Sequence, residues 1–304
     1  MRALVVEHGD NGPVRFADVD EPEQAAGELL VDIRHIGLNY GELRHAGQYP
    51  AGDIHGFDAS GVVLRAAPDG SGPPEGTRVA LAGAPYAWAE RVAVKPAFTS
   101  VVPDGVDLAD AATLGIAGVT ALRVLRKRSL LARRVLITGA SGGVGRFAVQ
   151  LAAAAGARVT ALAGSPERAA GLRELGATRV LTDLAQAEDR FDLVLDTVGG
   201  EQLVQAWGVL ADGGDLHMVC QASGGESTFP PGSLFAFGES RRLHTYGDMD
   251  WHLFSAEMTD LLGLLAAGRL TAPIGRRGDW KDVGEAVRAL FAREVTGKIV
   301  LDVS

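Results

Sequence analysis

Residues 135–145 read Val-Leu-Ile-Thr-Gly-Ala-Ser-Gly-Gly-Val-Gly, an apolar stretch that runs directly into a glycine-rich turn. Residues 135–138 predict a buried strand, residues 146–155 a helix and residues 158–163 a second strand. This makes a βαβ unit of about 30 residues with its glycines at the strand-to-helix turn, which is the context of a dinucleotide-binding fingerprint. Glycines there let backbone N–H groups and the helix N-terminus approach a pyrophosphate. The unit predicts a dinucleotide site, with a tight turn that binds no ligand as the alternative.

Strands and helices alternate on the C-terminal side of this unit. A helix is predicted to begin at Ser165, with Ser165 as its N-cap and Pro166 in the first helical position. Further strands are predicted at 179–181, 191–196 and 215–219, then helices at 257–267 and 280–293, and a last strand at 298–302. This alternation predicts an α/β fold with a parallel doubly wound sheet.

The N-terminal part of the chain has a different pattern. Short apolar or alternating runs, separated by Gly, Pro and Asp, predict strands at 3–6, 29–33, 61–64, 78–81 and 90–94. Residues 109–128 have a helical composition, although Gly115 and Gly118 predict a break inside that helix. We therefore expect a β-rich domain before the doubly wound one.

Composition and charge restrict the function further. The chain has 304 residues and a mass of 31.7 kDa, a length typical of roughly two domains. Its net charge of −9 argues against nucleic-acid or membrane partners, and no apolar run approaches the ~18 residues of a membrane span. The single cysteine, Cys220, excludes an internal disulfide and a zinc site with several thiolates. The N-terminal stretch lacks a secretory apolar region, so we expect a cytoplasmic protein with a small-molecule substrate.

Basic residues are concentrated just before the glycine turn. Residues 123–134 include Arg123, Arg126, Lys127 and Arg128, followed by Arg133 and Arg134. They could form a nucleic-acid patch, but the net charge of −9 favours cations placed at a helix C-terminus.

The end of the second predicted strand indicates which dinucleotide binds. An NAD site usually places a carboxylate there, whereas this chain has Ala163, Gly164 and Ser165, with Arg168 following. A hydroxyl, a helix N-terminus and a guanidinium favour a 2′-phosphate. We therefore predict NADP(H), with a solvated helix residue as the alternative role for Arg168. The predicted cofactor-binding residues of this region are Ser141, Gly142, Gly143, Val144, Gly164, Ser165 and Arg168.

Motifs along nearly the whole chain carry a family resemblance. They include Gly37-Leu-Asn39, Gly47-Gln-Tyr49-Pro50, His55-Gly-Phe-Asp58, the glycine turn, Asp196-Thr-Val-Gly-Gly200 and Gly297-Lys-Ile-Val-Leu301. With these motifs the chain resembles a medium-chain dehydrogenase/reductase of the zinc-independent, quinone oxidoreductase-like branch. The resemblance implies a GroES-like β-rich catalytic domain at 1–112, completed by 258–304, and a Rossmann domain at 113–257. It also implies a homodimer.

The resemblance allows the zinc ligands of relatives to be compared with this chain position by position. Zinc-dependent relatives carry a Cys near Asn39 and a His-Glu pair near Phe57 and Asp58, and neither occurs here. Residues 80–90, where the structural zinc lobe would lie, contain no cysteine. We expect no bound metal and interpret His55 as structural or pocket-lining.

The same resemblance implies the catalytic residues. Asn39 and Tyr49 are predicted to line the site, and Thr120 to lie near the nicotinamide. In enoyl-reductase relatives a tyrosine matching Tyr49 donates a proton; water and Tyr40 are the alternatives. From the residues alone, Tyr49 could equally be a packing aromatic and Asn39 a turn-stabilising amide.

Three functions fit these residues. The first is NADPH-dependent hydride transfer to a quinone or an α,β-unsaturated carbonyl, since these acceptors need no Lewis acid. The second is an enoyl-thioester reductase of a fatty-acid or polyketide pathway. The third is an NADPH-binding protein without turnover.

Overall fold

The computed structural model describes residues 1–9, 12–235, 240–246 and 254–304. The chain divides into two compact units, one made of Met1–Val119 with Asp250–Ser304 and the other of Thr120–Met249. None of the helices in these described ranges has the length and apolar character needed to cross a membrane.

Strands dominate the N-terminal part of the chain, and helices alternate with strands after it. The N-terminal part contains β1 (Arg2–Val6), β2 (Val14–Asp18), β3 (Leu29–Leu38), α1 (Tyr40–Arg44), β4 (Asp58–Arg65), β5 (Arg78–Ala82), β6 (Arg91–Val94), β7 (Thr99–Val101) and α2 (Leu108–Ala111). A π-helical turn (Leu114–Gly118) leads into α3 (Val119–Arg126). Then follow β8 (Arg134–Ile137), α4 (Gly143–Ala154), β9 (Arg158–Leu162), β10 (Arg179–Leu181), β11 (Phe191–Asp196), α5 (Gly200–Gly208), β12 (Leu210–Met218) and β13 (Arg242–Thr245). The chain continues with α6 (Phe254–Ala266), β14 (Ile274–Asp279), α7 (Val283–Phe291) and β15 (Lys298–Asp302).

A mostly antiparallel sheet forms the first unit. Among the described residues its strand order is β14-β15-β3-β4-β5-β7, with β6 also paired to β3, while β1 and β2 form a separate hairpin. β15 runs antiparallel to β3, so the C-terminal segment completes the sheet of the N-terminal strands. Trp88 and Trp280 are fully buried in its core, which also contains Leu4 and Ile299.

A parallel sheet forms the second unit. Its order among the described residues is β10-β9-β8-β11-β12-β13, and all of its pairs are parallel. Leu136, Val194 and Phe191 lie in the apolar core on one face of these strands. The strand order reverses between β8 and β11, and in open α/β sheets ligands bind beyond the carboxyl ends of the strands at such a point.

Two local predictions have different outcomes. The break predicted at Gly115 and Gly118 is confirmed, because the π-helical turn Leu114–Gly118 separates α2 from α3. The helix predicted to begin at Ser165 is wrong, because residues 166–176 form successive turns. Gly171 has a φ of 78°, in the left-handed region, which interrupts the helical hydrogen-bond ladder after about one turn.

Candidate functional site

The glycine turn lies between β8 and α4, at the point where the strand order reverses. Gly139 has a φ of 57°, and a Cβ there would lie 2.1 Å from the Thr197 Oγ1. A Cβ on Gly145 would lie 2.5 Å from the carbonyl oxygen of Gly139. At Gly142 the nearest atom to such a Cβ is 3.4 Å away, an ordinary contact. Packing within the protein therefore requires glycine at positions 139 and 145. At position 142 the fold would tolerate a Cβ, so the close approach of a ligand is a reason for the glycine there.

The N-terminus of α4 has the features of an anion site. Gly142 caps the helix with no side-chain hydrogen bond, and the helix runs over Gly143–Ala154. The first N–H groups of a helix have no partner within it and carry the positive end of its dipole. Gly143 and Val144 provide two of these groups, in agreement with the predicted contact to a pyrophosphate.

Three of the predicted cofactor residues come together next to this turn. The Arg168 Nε donates to the Oγ of Ser141 at 3.2 Å, and the Arg168 N–H donates to the Ser165 Oγ at 3.4 Å. Ser141 is buried, while Gly164 is exposed with nothing within 4 Å of an added Cβ. The guanidinium and two hydroxyls thus share one region, as a 2′-phosphate site requires.

A carboxylate also borders this region. A hydrogen bond with the Ser165 side chain holds the pKa of the exposed Glu167 below its usual range. A carboxylate here favours a ribose 2′-OH, whereas Arg168 favours a 2′-phosphate. Glu167 lies in the turns that occupy residues 166–176.

The sequence interpretation missed Arg146. Its Nε donates to the carbonyl oxygen of Ser141 at 3.3 Å, and its Nη2 donates to the carbonyl oxygen of Ala170 at 2.8 Å. These hydrogen bonds tie the glycine turn to the 166–176 segment, and burial lowers the pKa of the guanidinium that makes them. Its position one residue after Gly145, in the first turns of the helix, was the available signal.

The loop after β11 is fixed to the end of β8 by a buried carboxylate. The Asp196 Oδ1 accepts from the Thr138 Oγ1 at 2.5 Å, and its Oδ2 accepts from the Gly199 N–H at 2.8 Å. The Thr197 Oγ1 donates to the carbonyl oxygen of Thr138 at 3.0 Å. The Asp-Thr-Val-Gly-Gly motif thus shapes the carboxyl edge of the sheet where a dinucleotide would bind.

The first unit contains a buried polar quartet formed by Asn39, Glu42, Asp58 and Lys298. The Asn39 Nδ2 donates to the Glu42 Oε2 at 2.6 Å and to the Asp58 Oδ2 at 2.8 Å. The Lys298 Nζ donates to the Asn39 Oδ1 at 2.6 Å, to the Asp58 Oδ2 at 3.3 Å and to the carbonyl oxygen of Leu38. All four side chains are buried, so the quartet ties α1, β4 and β15 together.

This quartet changes the role expected of Asn39. Both hydrogens of its amide are donated to carboxyl oxygens, of Glu42 and Asp58, and its oxygen accepts from Lys298, while the residue is 9% exposed. In this arrangement Asn39 has no amide hydrogen left for a substrate. Its geometry favours a positioning role over a direct contact.

The quartet predicts a pH dependence of stability. Burial, and then the neighbouring Asp58, raise the pKa of Glu42 to about 8. An acid with a raised pKa in the folded state stabilises the fold below its unfolded pKa, and this contribution is lost as pH rises through the folded value. We expect the free energy of unfolding to fall between about pH 4.5 and pH 8, and Glu42→Gln to make this decline shallower. Urea denaturation at a series of pH values measures it.

The matched control is Glu285→Gln. A hydrogen bond with Arg276 lowers the pKa of this exposed acid, so its titration lies below the tested range. An unchanged pH profile in Glu42→Gln would show that Glu42 does not titrate in this way.

Tyr49 is half-exposed at the end of the segment that follows α1. Its side chain is 40% exposed, and no residue in the described part of the chain hydrogen-bonds its hydroxyl. Its ring contacts His55 with centroids 5.2 Å apart, and His55 also packs on Trp88. The ring of the alternative, Tyr40, lies 5.6 Å from that of Phe291, on α7. Tyr49 is exposed, whereas Tyr40 is only partly exposed.

His55 and Thr120 occupy defined positions. The buried His55 hydrogen-bonds the carbonyl oxygen of Glu42 through its Nε2 at 3.1 Å, which agrees with a structural role. Thr120 is buried in the first turn of α3.

Across residues 1–9, 12–235, 240–246 and 254–304, no group of three or more His, Cys, Asp or Glu side chains could hold a metal ion. The predicted absence of zinc stays a prediction.

Comparison with known proteins identifies the family. Mouse prostaglandin reductase-3 is 31% identical over 318 residues, which cover 94% of this chain and 84% of that protein. The chain belongs to the medium-chain dehydrogenase/reductase family, in its quinone oxidoreductase-like branch. Residues 170–301 match the zinc-binding dehydrogenase family. The prediction of the family is confirmed.

Solved structures confirm the fold of this member of the family. A mycobacterial protein complexed with NADPH has 28% identity and a TM-score of 0.87, covering 99% of this chain and 100% of that one. A quinone oxidoreductase from Pseudomonas syringae has 26% identity and a TM-score of 0.87, with 99% of both chains covered. The predicted α/β class with GroES-like and Rossmann domains is therefore confirmed.

Other relatives of this chain are much longer proteins. A mycocerosic acid synthase-like polyketide synthase of Mycobacterium tuberculosis is 30% identical over 328 residues. That match covers all of this chain, which spans about 15% of the length of the polyketide synthase.

Proposed function

We propose that the chain is an NADPH-dependent reductase that transfers hydride to a quinone or an α,β-unsaturated carbonyl without zinc. The observation that carries the cofactor choice is the meeting of Arg168, Ser141 and Ser165 beside the uncapped N-terminus of α4. The NADPH complex of the mycobacterial relative supports it. The name of the Pseudomonas syringae relative supports a quinone acceptor, and the name of the mouse relative, a prostaglandin reductase, supports a reductase activity.

Each unit has its own part in this proposal. Ser141, Ser165 and Arg168 hold the 2′-phosphate, and Gly142, Gly143 and Val144 approach the pyrophosphate with their backbone. Gly164 leaves room for the adenosine ribose, and Thr120 lies near the nicotinamide. NADPH, when bound, supplies the hydride. In the other unit the Tyr49 hydroxyl donates the proton, and the buried quartet holds the segment from Asn39 to Tyr49 in place.

A second candidate is an enoyl-thioester reductase. The full coverage of this chain by part of a polyketide synthase favours it. Reduction of an enone and of an enoyl thioester would both use Tyr49 as acid. Measuring NADPH oxidation with quinones, enones and enoyl thioesters separates the candidates. NADPH binding without turnover of any of them would instead support the non-catalytic alternative.

The Arg168→Ala variant tests the cofactor choice. It should weaken NADPH binding by about 1–2 kcal/mol, the scale of one lost charge-assisted contact, and leave NADH binding nearly unchanged. Fluorescence titration of both cofactors measures this. Glu167→Gln is the matched control: it removes the adjacent carboxylate, so NADPH binding should be equal or tighter. Tighter NADH than NADPH binding in the unmodified chain would contradict the choice.

Absence of zinc is tested by elemental analysis. The purified protein should contain well under one zinc per chain, because Asn39 and Phe57 stand where relatives have ligands. Chelators should leave its activity unchanged. A stoichiometric zinc that is lost together with activity would contradict this.

The resemblance also supports a homodimer, which we propose forms through the edge of the parallel sheet. Among the described residues β13 is the edge strand, and its Leu243 is exposed. Unpaired edge strands are ready to pair with another chain. Light scattering measures the mass, and a monomer would contradict the proposal.

A further inference from the structure

The half-buried guanidinium of Arg146 joins two stretches of backbone. Its Nε donates to the carbonyl oxygen of Ser141 at 3.3 Å, and its Nη2 donates to that of Ala170 at 2.8 Å. Among the described residues no carboxylate pairs with this side chain, and burial lowers the pKa of the guanidinium. A guanidinium presents its N–H groups in a rigid fork, so one side chain can hold two oxygens at a fixed separation. Arg146 therefore connects the glycine turn to the 166–176 segment instead of balancing an acid.

The 166–176 segment has few other anchors. It makes successive turns, and Leu172 is its one buried residue. Most hydrogen bonds donated by its backbone N–H groups reach back only three residues, such as that from Ala170 to the carbonyl oxygen of Glu167 at 3.4 Å. Bonds of this kind have poorer geometry than those of an α-helix. The position of the segment against the glycine turn therefore relies on Leu172 and on side chains that bridge the two, as Arg146 does.

The orientation of this segment matters because two of its neighbouring residues have opposite charges. The Arg168 Nε donates to the Oγ of Ser141, in the glycine turn, at 3.2 Å. The Glu167 carboxylate instead has a hydrogen bond with the Ser165 side chain. A guanidinium beside the adenosine ribose favours a 2′-phosphate, whereas a carboxylate there favours a 2′-OH. The side chain that faces the ribose therefore decides which cofactor is preferred.

Ser141 links the two arginines. Its carbonyl oxygen accepts from Arg146, and its Oγ accepts from Arg168. The second hydrogen bond of Arg146 holds the backbone at Ala170, two residues after Arg168. Arg146 thus fixes both sides of the contact between Arg168 and Ser141, namely the residue that accepts and the segment that donates.

We propose that Arg146 is a positioning residue that sets the preference for NADP(H) over NAD(H). It holds the 166–176 segment in the orientation that directs Arg168, and not Glu167, toward the adenosine ribose. Arg146 acts through Arg168 and does not itself bind the phosphate. This inference rests on the proposed function, because it requires a dinucleotide at the glycine turn.

The ratio of NADPH to NADH affinity tests the proposal, measured by fluorescence titration of the full-length chain. We expect Arg146→Leu to weaken NADPH binding about tenfold, the scale of one lost charge-assisted contact. NADH binding should be unchanged or tighter, because NADH lacks the 2′-phosphate and Glu167 favours its 2′-OH. Arg146→Lys should lower the ratio nearly as much, since an ammonium group does not reproduce the fork of the guanidinium.

Arg173→Leu is the matched control. Arg173 is an exposed residue of the same segment, and its Nη1 donates to the carbonyl oxygen of Thr178 at 3.2 Å, away from the glycine turn. The substitution removes one positive charge and leaves the hydrogen bonds of Arg146 in place. The ratio of the two affinities should therefore equal that of the unmodified chain.

Hydrogen exchange without any cofactor supplies an independent measurement. The backbone N–H groups of Ala169, Ala170 and Leu172 should exchange faster in Arg146→Leu and in Arg146→Lys, because the segment has lost a tether. The amides of β8 and β11 should exchange as in the unmodified chain, which shows that the parallel sheet is intact. If Arg146→Leu fails to fold, Arg146→Lys decides, because it keeps the charge and most of the side-chain length.

Four results would overturn the proposal. An unchanged ratio in the Arg146 variants would remove the role of Arg146 and leave the proposed function standing. Full recovery of the ratio in Arg146→Lys, or a lower ratio with unchanged exchange, would show that the charge itself acts on the phosphate. An equal fall in Arg173→Leu would assign the effect to the overall charge of the segment. Tighter NADH than NADPH binding in the unmodified chain would contradict the proposed cofactor and this inference with it.

Discussion

Replacing Tyr49 with phenylalanine is expected to lower the rate of enone or enoyl reduction by a factor of about 10²–10⁴, the range of general acid catalysis by a positioned side chain. An alkene must receive its proton on carbon, which is slow without a placed acid. A quinone receives its protons on oxygen, where water serves quickly. Quinone turnover by the same variant should therefore fall far less.

The ratio of the two rates in the wild type and the variant is the measurement. The hydroxyl of Tyr49 has no hydrogen-bond partner in the described part of the chain, so its removal leaves no buried group unsatisfied. An equal fall in both rates would make Tyr49 a packing or binding residue. If neither rate falls, the proton comes from water or from elsewhere. Tyr40→Phe then tests the next candidate for the acid, whose ring packs against Phe291.

The second large effect is expected from Lys298→Met. The substitution keeps much of the side-chain volume but leaves Asp58 buried without its cation. Breaking a buried ion pair by removing one partner typically costs about 3–5 kcal/mol. We expect a loss of unfolding free energy of that size at pH 7, measured by urea denaturation.

The pH dependence of this loss separates charge from packing. Burial raises the pKa of Asp58 while Lys298 opposes that rise, so without Lys298 the carboxyl protonates more readily. The cost of Lys298→Met should therefore shrink toward low pH, and the double variant with Asp58→Asn should recover part of it. Lys281→Met, at an exposed pair with Asp279, should change stability by less than about 1 kcal/mol. A loss for Lys298→Met that does not vary with pH would indicate packing alone.

The sequence predicts the parallel sheet well because its signals are local. The apolar runs of β8, β9 and β11 and the glycines of the turn lie within short windows, and each strand appears close to its predicted position. The helix predicted to begin at Ser165 does not form, although Ser165 and Pro166 are good residues for a helix start. The reason is local, because Gly171 adopts a left-handed conformation. Proline and serine mark a possible helix start but do not determine how far the chain continues.

The candidate site was harder to predict because its contacts span the chain. Asn39 belongs to a buried hydrogen-bond network. One of its partners in that network is Lys298, which lies 259 residues away in the sequence. The available signal was a charged residue within an apolar strand: Asp58 begins β4 and Lys298 begins β15, and both are buried. Such residues require partners, but periodicity does not identify the partners.

The same separation has a consequence during synthesis. Lys298 follows Asp58 by 240 residues, which at about 5–20 residues per second means a delay of roughly 12–48 s on the ribosome. Until then β3 lacks the neighbour that β15 later provides, and Asp58 and Glu42 have no ammonium group to balance them. The residues of the parallel sheet are contiguous and are made in the interval, so that sheet can form first. Until β15 is made, the part of β3 that it will pair with remains an unpaired edge. At this stage a nascent chain is most exposed to aggregation.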